Sequence, residues 1–419
     1  MAPTIVLTGL GILTFINYKA CHDLRYPPFI MSALWLATLI AYYFAPFSID
    51  RISVATAIIF VVTVASFTLG GLFSLRGLRP TMKALAKRPH LTKPGSAHPR
   101  FRIFLLWLSA FLLPVYIWKA IWLVGQSDVY SFFGALRAES SLPDSPGYGF
   151  IANAMVVSFF TTFVYALEGV SNKREKMQYT VSLLFSFVFA VFSTGRTAIL
   201  LLLAALTGIA MMKRQMNARK LVLVVLAFLM CFGAFATILG KGADPDASWS
   251  ENLPAIGESL LQYSFGALPA FDEVVQDHAP LTYGRSTFIS FRRLLDIFAG
   301  REPPSAIEEF TTVPFPTNVY TAIRPVYEDY GILGVIVTFI IIGAASANSY
   351  AKAMAGSRMH IYFYSILLFP LLLSAFSDAY FASILLWLRY FLAGYLYFHA
   401  QRIVVGSPKI IPARRASPI

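Results

Sequence analysis

The residues best suited to chemistry lie in one polar stretch, Pro314-Phe-Pro-Thr-Asn-Val-Tyr-Thr-Ala-Ile-Arg-Pro-Val-Tyr-Glu-Asp-Tyr-Gly-Ile-Leu-Gly334. It places Asn318, Tyr320, Arg324, Tyr327, Glu328 and Asp329 immediately before an apolar run that begins near Ile332. Polar and charged groups beside a membrane are costly unless a partner or ligand meets them. Arg324 offers a planar fork of donors that matches phosphate oxygens and stays charged at any relevant pH. Of the two carboxylates, one can act as general base toward a hydroxyl. Neighbouring residues on a helix point about 100° apart, so Glu328 and Asp329 cannot both face one substrate atom. The other is left to orient an arginine or to cap a helix start, where negative charge is favoured.

Other candidates lie elsewhere in the chain. Arg196, in Ser193-Thr-Gly-Arg-Thr197, sits in a tight turn between two apolar runs, and Arg285 follows Tyr283-Gly284. With Arg324 they make a set suited to a lipid-linked phosphate or pyrophosphate. Asp272, in Ala270-Phe-Asp-Glu273, is a further carboxylate. Arg389 falls inside an apolar run and needs a partner or a wet cavity; Asp378 is its candidate partner, and a structural ion pair and a substrate contact are both open for the two. Tyrosines recur near these positions, where they can stack on sugars, although tyrosine is also enriched at membrane interfaces. Two cysteines, Cys21 and Cys231, make no disulfide framework, and no CxxC or HExxH spacing, serine-nucleophile motif or phosphate-cradling glycine loop occurs. No metal and no cofactor is expected.

The scaffold that must position these residues is read from composition. The 419 residues are 57% hydrophobic and only 13% charged, with mean hydropathy +0.65, against roughly 25% charged in soluble domains. Apolar runs long enough to cross a bilayer recur along the chain, so it reads as an all-α integral membrane protein. About eleven transmembrane helices are predicted, near 3–18, 29–46, 52–75, 103–125, 149–168, 177–194, 197–212, 221–240, 331–350, 360–376 and 381–400. The apolar start, with no Lys or Arg before Ile5, reads as a retained first span rather than a signal peptide.

In a soluble protein a net charge of +13 would raise the question of nucleic acid; here no nucleic-acid partner is expected and the charge reports orientation. Placing the N-terminus outside gathers most Lys and Arg on the inner side, including the segment 76–102 and the tail 401–419. The expected organisation is then helices one to eight over 1–240 with a basic cytoplasmic loop at 76–102, an outer loop over 241–330, helices nine to eleven over 331–400, and a basic cytoplasmic C-terminal tail. The outer loop holds most of the acids and enough apolar patches to form short amphipathic helices on the membrane face.

Four segments carry a resemblance: "STGRTA" around Arg196, "ALPAFDEVV" at 267–275, "LTYGRSTF" at 281–288 and, above all, "PTNVYTAIRPVYEDYGILG" at 316–334. Together they resemble the Wzy-type oligosaccharide repeat-unit polymerases of O-antigen and exopolysaccharide assembly. The resemblance implies a GT-C-like helical glycosyltransferase of the bacterial inner membrane, metal-independent, with its active site facing the periplasm. It would transfer a growing glycan from undecaprenyl pyrophosphate to the non-reducing end of a new undecaprenyl-pyrophosphate-linked oligosaccharide. Arg196, Arg285 and Arg324 would hold the pyrophosphate; Asn318, Tyr320, Tyr327 and Asp272 would line the glycan side; Glu328, Asp329 and Arg324 would serve catalysis. The lipid bilayer and a chain-length-regulating co-polymerase are the expected partners. An O-antigen ligase-like transferase and a polysaccharide flippase are the alternative readings.

Overall fold

The computed structural model describes residues 2–44, 51–86, 99–126, 132–141, 147–216, 265–305, 308–313 and 316–404, with the isolated positions 219, 223 and 257. In chain order the helices are α1 (Ala2–Cys21), α2 (Pro27–Tyr43), α3 (Val54–Ala86), α4 (Pro99–Val124), α5 (Phe132–Ser141), a 3-10 turn (Gly149–Ala152) leading into α6 (Asn153–Glu168), α7 (Lys173–Phe192) and α8 (Arg196–Met212). They continue with α9 (Ala267–Asp277), α10 (Ile289–Phe298), α11 (Arg324–Met354), α12 (Arg358–Leu373) and α13 (Ile384–Val404). The described residues depart from an all-helical chain in one small hairpin, β1 (Thr311–Thr312) paired antiparallel with β2 (Pro316–Thr317).

Among the described residues, five segments are long and apolar enough to cross a membrane: Ala2–Cys21, Val54–Arg76, Pro99–Val124, Gly149–Glu168 and Arg324–Met354. The helices α2, α8 and α12 are shorter apolar ones. The chain is therefore a multi-pass helical membrane protein. Each predicted span falls on a helix except 221–240, which apart from position 223 lies outside the described residues.

Lipid tails are as apolar as Leu, so helices in a membrane associate through close packing and internal hydrogen bonds rather than through apolar burial. Both devices are present. A Cβ on Gly70 of α3 would sit 2.0 Å from the Ile340 carbonyl oxygen of α11, and one on Gly343 2.1 Å from the Phe67 oxygen; only glycine lets these two backbones touch. The helix α6 is buried on nearly all sides, and its buried hydroxyls are satisfied across to α7, Ser158 with Ser186 at 3.1 Å and Thr162 to the Ser182 oxygen at 2.9 Å.

One end of the bundle is tied by ion pairs. Arg25 bonds Asp23 at 2.7 Å and the Met211 carbonyl at 3.2 Å, while the Tyr350 hydroxyl donates to Asp23 at 2.7 Å. Arg102, almost fully buried, meets Glu175 at 2.8 Å and Glu168 at 3.8 Å and lies 4.4 Å over the Tyr165 ring. Removing one partner of such a buried set would strand an uncompensated charge.

The polar stretch starts its helix earlier than the sequence suggested. The helix α11 begins at Arg324, with Pro325 in its first turn, and bends at Gly331 (φ 62°, ψ −158°). Proline suits a first turn because its missing N–H has no partner there in any helix. The predicted span start thus marks the bend, and Arg324–Tyr330 forms a separate short helical segment above it. In the segment 265–323, α9 buries Leu268, Phe271 and Val275 against the bundle instead of lying on the membrane face. By contrast α10 buries no residue and exposes Leu294, Leu295, Ile297 and Phe298.

Candidate functional site

A cleft of about 1170 Å³ opens between α9, the hairpin and the start of α11. The stretch 316–323 is held in place from below: the Ala322 N–H donates to the Ser374 carbonyl at 3.0 Å, and the Trp35 indole donates to the Ser374 hydroxyl at 3.0 Å. Tyr320 is thereby buried against Ala270 and Val313, and its hydroxyl donates to the Glu309 carbonyl at 3.0 Å.

Arg324 is the centre of the cleft. Its guanidinium lies 3.7 Å over the Tyr320 ring, its Nε donates to Glu328 Oε1 at 2.5 Å, and its Nη1 donates to Glu308 Oε2 at 3.0 Å. A guanidinium has five N–H donors, so three remain for a ligand. The three side chains differ in openness: 14% exposed for Arg324, 22% for Glu328 and 44% for Glu308. The cation is fixed and largely covered, whereas the carboxylates reach outward. Burial holds the Glu308 carboxyl above the ordinary glutamate value; Arg324 pulls it down, and Glu328 and Glu309 push it further up.

Acids dominate the remaining lining. Among the described lining residues, Asp272, Glu273, Asp277, Glu309 and Glu328 stand with two arginines, Arg51 and Arg324. A surface rich in carboxylate acceptors suits the hydroxyls of a sugar. Negative phosphate groups are repelled from it except beside the two arginines. Among the described residues, no group of three or more His, Cys, Asp and Glu side chains converges in a way that would hold a metal ion.

Of the residues expected from sequence, the cleft brings together Arg324, Glu328, Tyr320, Tyr327 and Asp272. Two of these also hold the fold. Asp272 is buried and accepts from the Ser53 N–H at 3.0 Å, the Ser53 hydroxyl at 2.6 Å and Gln276 at 2.5 Å, so it pins α9 to the start of α3. Tyr327 packs edge-on against Phe271.

Asp329 does not face the cleft. It is fully buried and accepts from the Thr282 hydroxyl, the Ser286 N–H at 3.1 Å and the Thr287 N–H at 2.6 Å. The Thr282 N–H bonds the Glu328 carbonyl at 3.0 Å, so the turn 282–287 hangs from the first segment of α11. Gly284 takes φ +93° in that turn, and a Cβ there would meet the Tyr330 hydroxyl at 2.9 Å. Arg285 is the exposed tip of this anchored turn.

Arg196 opens α8, partly buried, and with Arg285 and Asn318 it is not part of the cleft lining. Asp378 and Arg389 are not paired. The Asp378 oxygens accept three backbone N–H groups, from Tyr380, Phe381 and Ala382 at 2.9–3.0 Å, which caps the linker between α12 and α13. Burial pushes its carboxyl up to about 6 in spite of those donors. Arg389 is exposed on α13.

Three cleft-side residues escaped the sequence reading: Glu308, Glu309 and Arg51. The two glutamates were legible only as members of an acidic loop, because nothing in a 16-residue separation shows that a chain folds back onto Arg324. Arg51 carried a usable signal. It follows the second predicted span on the side poor in Lys and Arg, the same departure from the charge bias that marked Arg196.

Comparison with known proteins agrees with this architecture. A family model described as "Putative O-antigen polymerase" matches residues 28–374. An O-antigen polymerase of Shigella dysenteriae is 26% identical over 229 residues, 54% of this chain and 57% of that protein. A protein of Escherichia coli (strain K12) with the same description as the family model is 20% identical over 340 residues, 81% of this chain and 82% of that protein. The chain thus spans little more than half the length of the Shigella relative. No solved structure matches. Because the family model runs from α2 to the end of α12 and takes in the whole Arg324 stretch, the chain belongs to the O-antigen polymerase family.

Proposed function

We propose that this protein polymerises lipid-linked oligosaccharide repeat units. It transfers a growing glycan from undecaprenyl pyrophosphate to the non-reducing end of a new undecaprenyl-pyrophosphate-linked unit. The reaction takes place at the periplasmic face of the inner membrane. The observation that carries the reading is the Arg324 cluster: a covered guanidinium with three uncommitted N–H donors and two flanking carboxylates, in a cleft large enough for several sugars.

The chemistry divides between the two kinds of group. An acceptor sugar hydroxyl gives its proton to Glu328 or Glu308 and attacks the anomeric carbon of the donor glycan. The bond from that carbon to the pyrophosphate oxygen breaks, and the pyrophosphate departs with its electron pair. Charge developing on that oxygen is met by fixed donors in a site of low dielectric, supplied by Arg324. The acidic lining selects a hydroxyl-rich acceptor. It also leaves the second phosphate to Arg51 on the cleft wall, or to Arg285 and Arg196 outside it.

Lysine keeps the charge of arginine but not its planar fork. Arg324→Lys is therefore expected to lower polymerisation by about 10²-fold or more, measured as the ladder of lipid-linked products made by the full-length purified chain. A ladder of normal length and rate from this variant would remove Arg324 from the reaction.

A further inference from the structure

The helix α10 is tied at two points, and both are ends of apolar helices on the cleft side. The Thr287 N–H, two residues before α10, donates to Asp329 at 2.6 Å, and Asp329 lies two residues before the bend of α11 at Gly331. The Ser290 hydroxyl donates to the Ala382 carbonyl at 2.8 Å, two residues before α13. The helix is thus held at the level where the long apolar run of α11 and the last predicted span both begin.

Its sides differ. At about 100° per residue, Phe291, Leu294, Leu295 and Phe298 fall within one arc of about 100°, and Arg292, Arg293 and Asp296 fall outside it. Leu294, Leu295 and Phe298 are exposed, and none of the ten residues is buried, so the apolar arc is not spent on the bundle. Asp296 is shared between Arg292 at 3.8 Å and Arg301 at 3.4 Å. The segment 289–302 carries three Arg against two acids. A short helix with an apolar arc and a basic polar side suits the boundary between headgroups and acyl chains, with its apolar side about 5–10 Å deep.

The helix α13 carries a second, independent observation. Its residues Leu388, Leu392 and Leu396 are exposed on one arc, whereas Trp387, Tyr390, Tyr397 and Phe398 are buried on the other. An exposed leucine arc on a membrane helix faces lipid, and Arg389 is exposed on that same arc. Among the described residues Arg389 makes no ion pair. The carboxylate nearest to it in sequence, Asp378, is occupied by three backbone N–H groups, and Asp296 of the neighbouring α10 is occupied by its two arginines.

A cation facing hydrocarbon is costly until a polar group meets it. Arg389 lies five residues into α13, roughly 8 Å below the helix start. Helical side chains lean toward the N-terminus, here toward α10, and a long basic side chain on such a surface reaches for the headgroups. The level it reaches is the one at which α10 is tied.

We propose that α10 lies flat in the membrane interface on the cleft side, with its apolar arc among acyl chains, and that Arg389 contacts the phosphate of a bilayer phospholipid beside it. Charge complementarity and continuity with the exposed leucine arc of α13 favour lipid over a protein partner for this surface. The inference does not depend on the polymerase reading of the cleft.

The placement of α10 is tested on the full-length chain in phospholipid nanodiscs, with Cys21→Ser and Cys231→Ser so that a single nitroxide label can be attached. A label at Leu295→Cys is expected to be relaxed more by oxygen, which concentrates among acyl chains, than by a water-soluble nickel chelate. A label at Arg293→Cys should show the reverse order. Equal access of the nickel chelate to both positions would overturn the placement. Dipolar broadening between labels on two copies at Leu295→Cys would overturn it as well, and would make the arc a contact between chains.

The phosphate contact is read by native mass spectrometry of the full-length chain in detergent. The probes are phosphatidylglycerol, diacylglycerol, which has no phosphate, and undecaprenyl phosphate. Phosphatidylglycerol is expected to be retained over diacylglycerol. Arg389→Gln should reduce that preference about fivefold, the equivalent of about 1 kcal/mol for one cation, and Arg389→Lys should keep it. If Arg389→Gln does not fold, Arg389→Met carries the same expectation. Equal retention of the two lipids, or an unchanged preference in the neutral variant, would overturn the contact. Retention of undecaprenyl phosphate without phosphatidylglycerol would overturn the bilayer as its source.

Discussion

At the residue scale the account rests on how Arg324 is held. Stacking on Tyr320 and two carboxylate contacts fix its fork before any ligand arrives, so little ordering is left to pay when a phosphate binds. The same contacts create a question of roles, because two carboxylates around one guanidinium leave the trio at net charge −1 when both are ionised. Protonating one restores balance, and the Glu308 carboxyl is held above the ordinary glutamate value.

If Glu308 is the base, it must be deprotonated to act. Activity then falls as pH drops through its raised value and is full above it. Glu308→Gln is expected to lower turnover by about 10²-fold and to abolish that acid limb. Glu328→Gln, which frees the Arg324 Nε, should weaken substrate positioning and keep the limb. Measuring the pH–rate profile of both variants decides the assignment; a limb that persists in Glu308→Gln and disappears in Glu328→Gln makes Glu328 the base.

At the element scale, Asp329 and the glycine contacts do the positioning. Asp329→Asn keeps one acceptor oxygen but turns an amide toward the Thr287 or Ser286 N–H, a loss of about 1–3 kcal/mol for the buried donor left unmet. The expected outcome is lower thermal stability and faster proteolysis at 282–287, with the acid limb of the pH profile intact. Loss of that limb would mean that Asp329 exchanges protons with substrate. At the α3–α11 contact, Gly343→Leu forces the backbones apart and should lower stability by roughly 3 kcal/mol or more, read as loss of folded protein in detergent, whereas Gly11→Ala, with open space around it, should not.

Much of the element level was legible in the sequence. Apolar runs located the helices because the bilayer leaves no other way to satisfy a spanning backbone. Arg324, Glu328, Tyr320 and Asp272 were marked by polarity beside a membrane. The division between Glu328 and Asp329 was legible only as a 100° divergence; the Thr282–Thr287 turn decides which one turns inward, and a contact 42 residues away leaves no periodic trace. Glu308 was hidden for the same reason, and the Asp378–Arg389 pairing failed because backbone amides closer in sequence claimed the carboxylate.

At the scale of the whole molecule, the polar cleft sits at one end of the bundle, where the short segment Arg324–Tyr330 bends away from the rest of α11 at Gly331. The cleft is mostly acidic and suits the hydroxyls of a sugar, with Arg51 and Arg324 as the cations on its described lining. The close glycine-mediated contact of α3 and α11 joins the cleft to the membrane scaffold, because Arg324, Tyr327 and Glu328 on its wall belong to α11. A transporter moves its cargo through such a bundle, whereas a polymerase changes the covalent length of what it binds.

That difference sets the most direct test. The purified full-length chain, in detergent with EDTA and with no membrane compartment, is given a lipid-linked repeat unit, and the products are resolved by mass. The account predicts a ladder of lipid-linked glycans rising by whole repeat units, with release of the polyprenyl pyrophosphate. Recovery of the repeat unit unchanged, in a preparation that binds it, would contradict the polymerase reading.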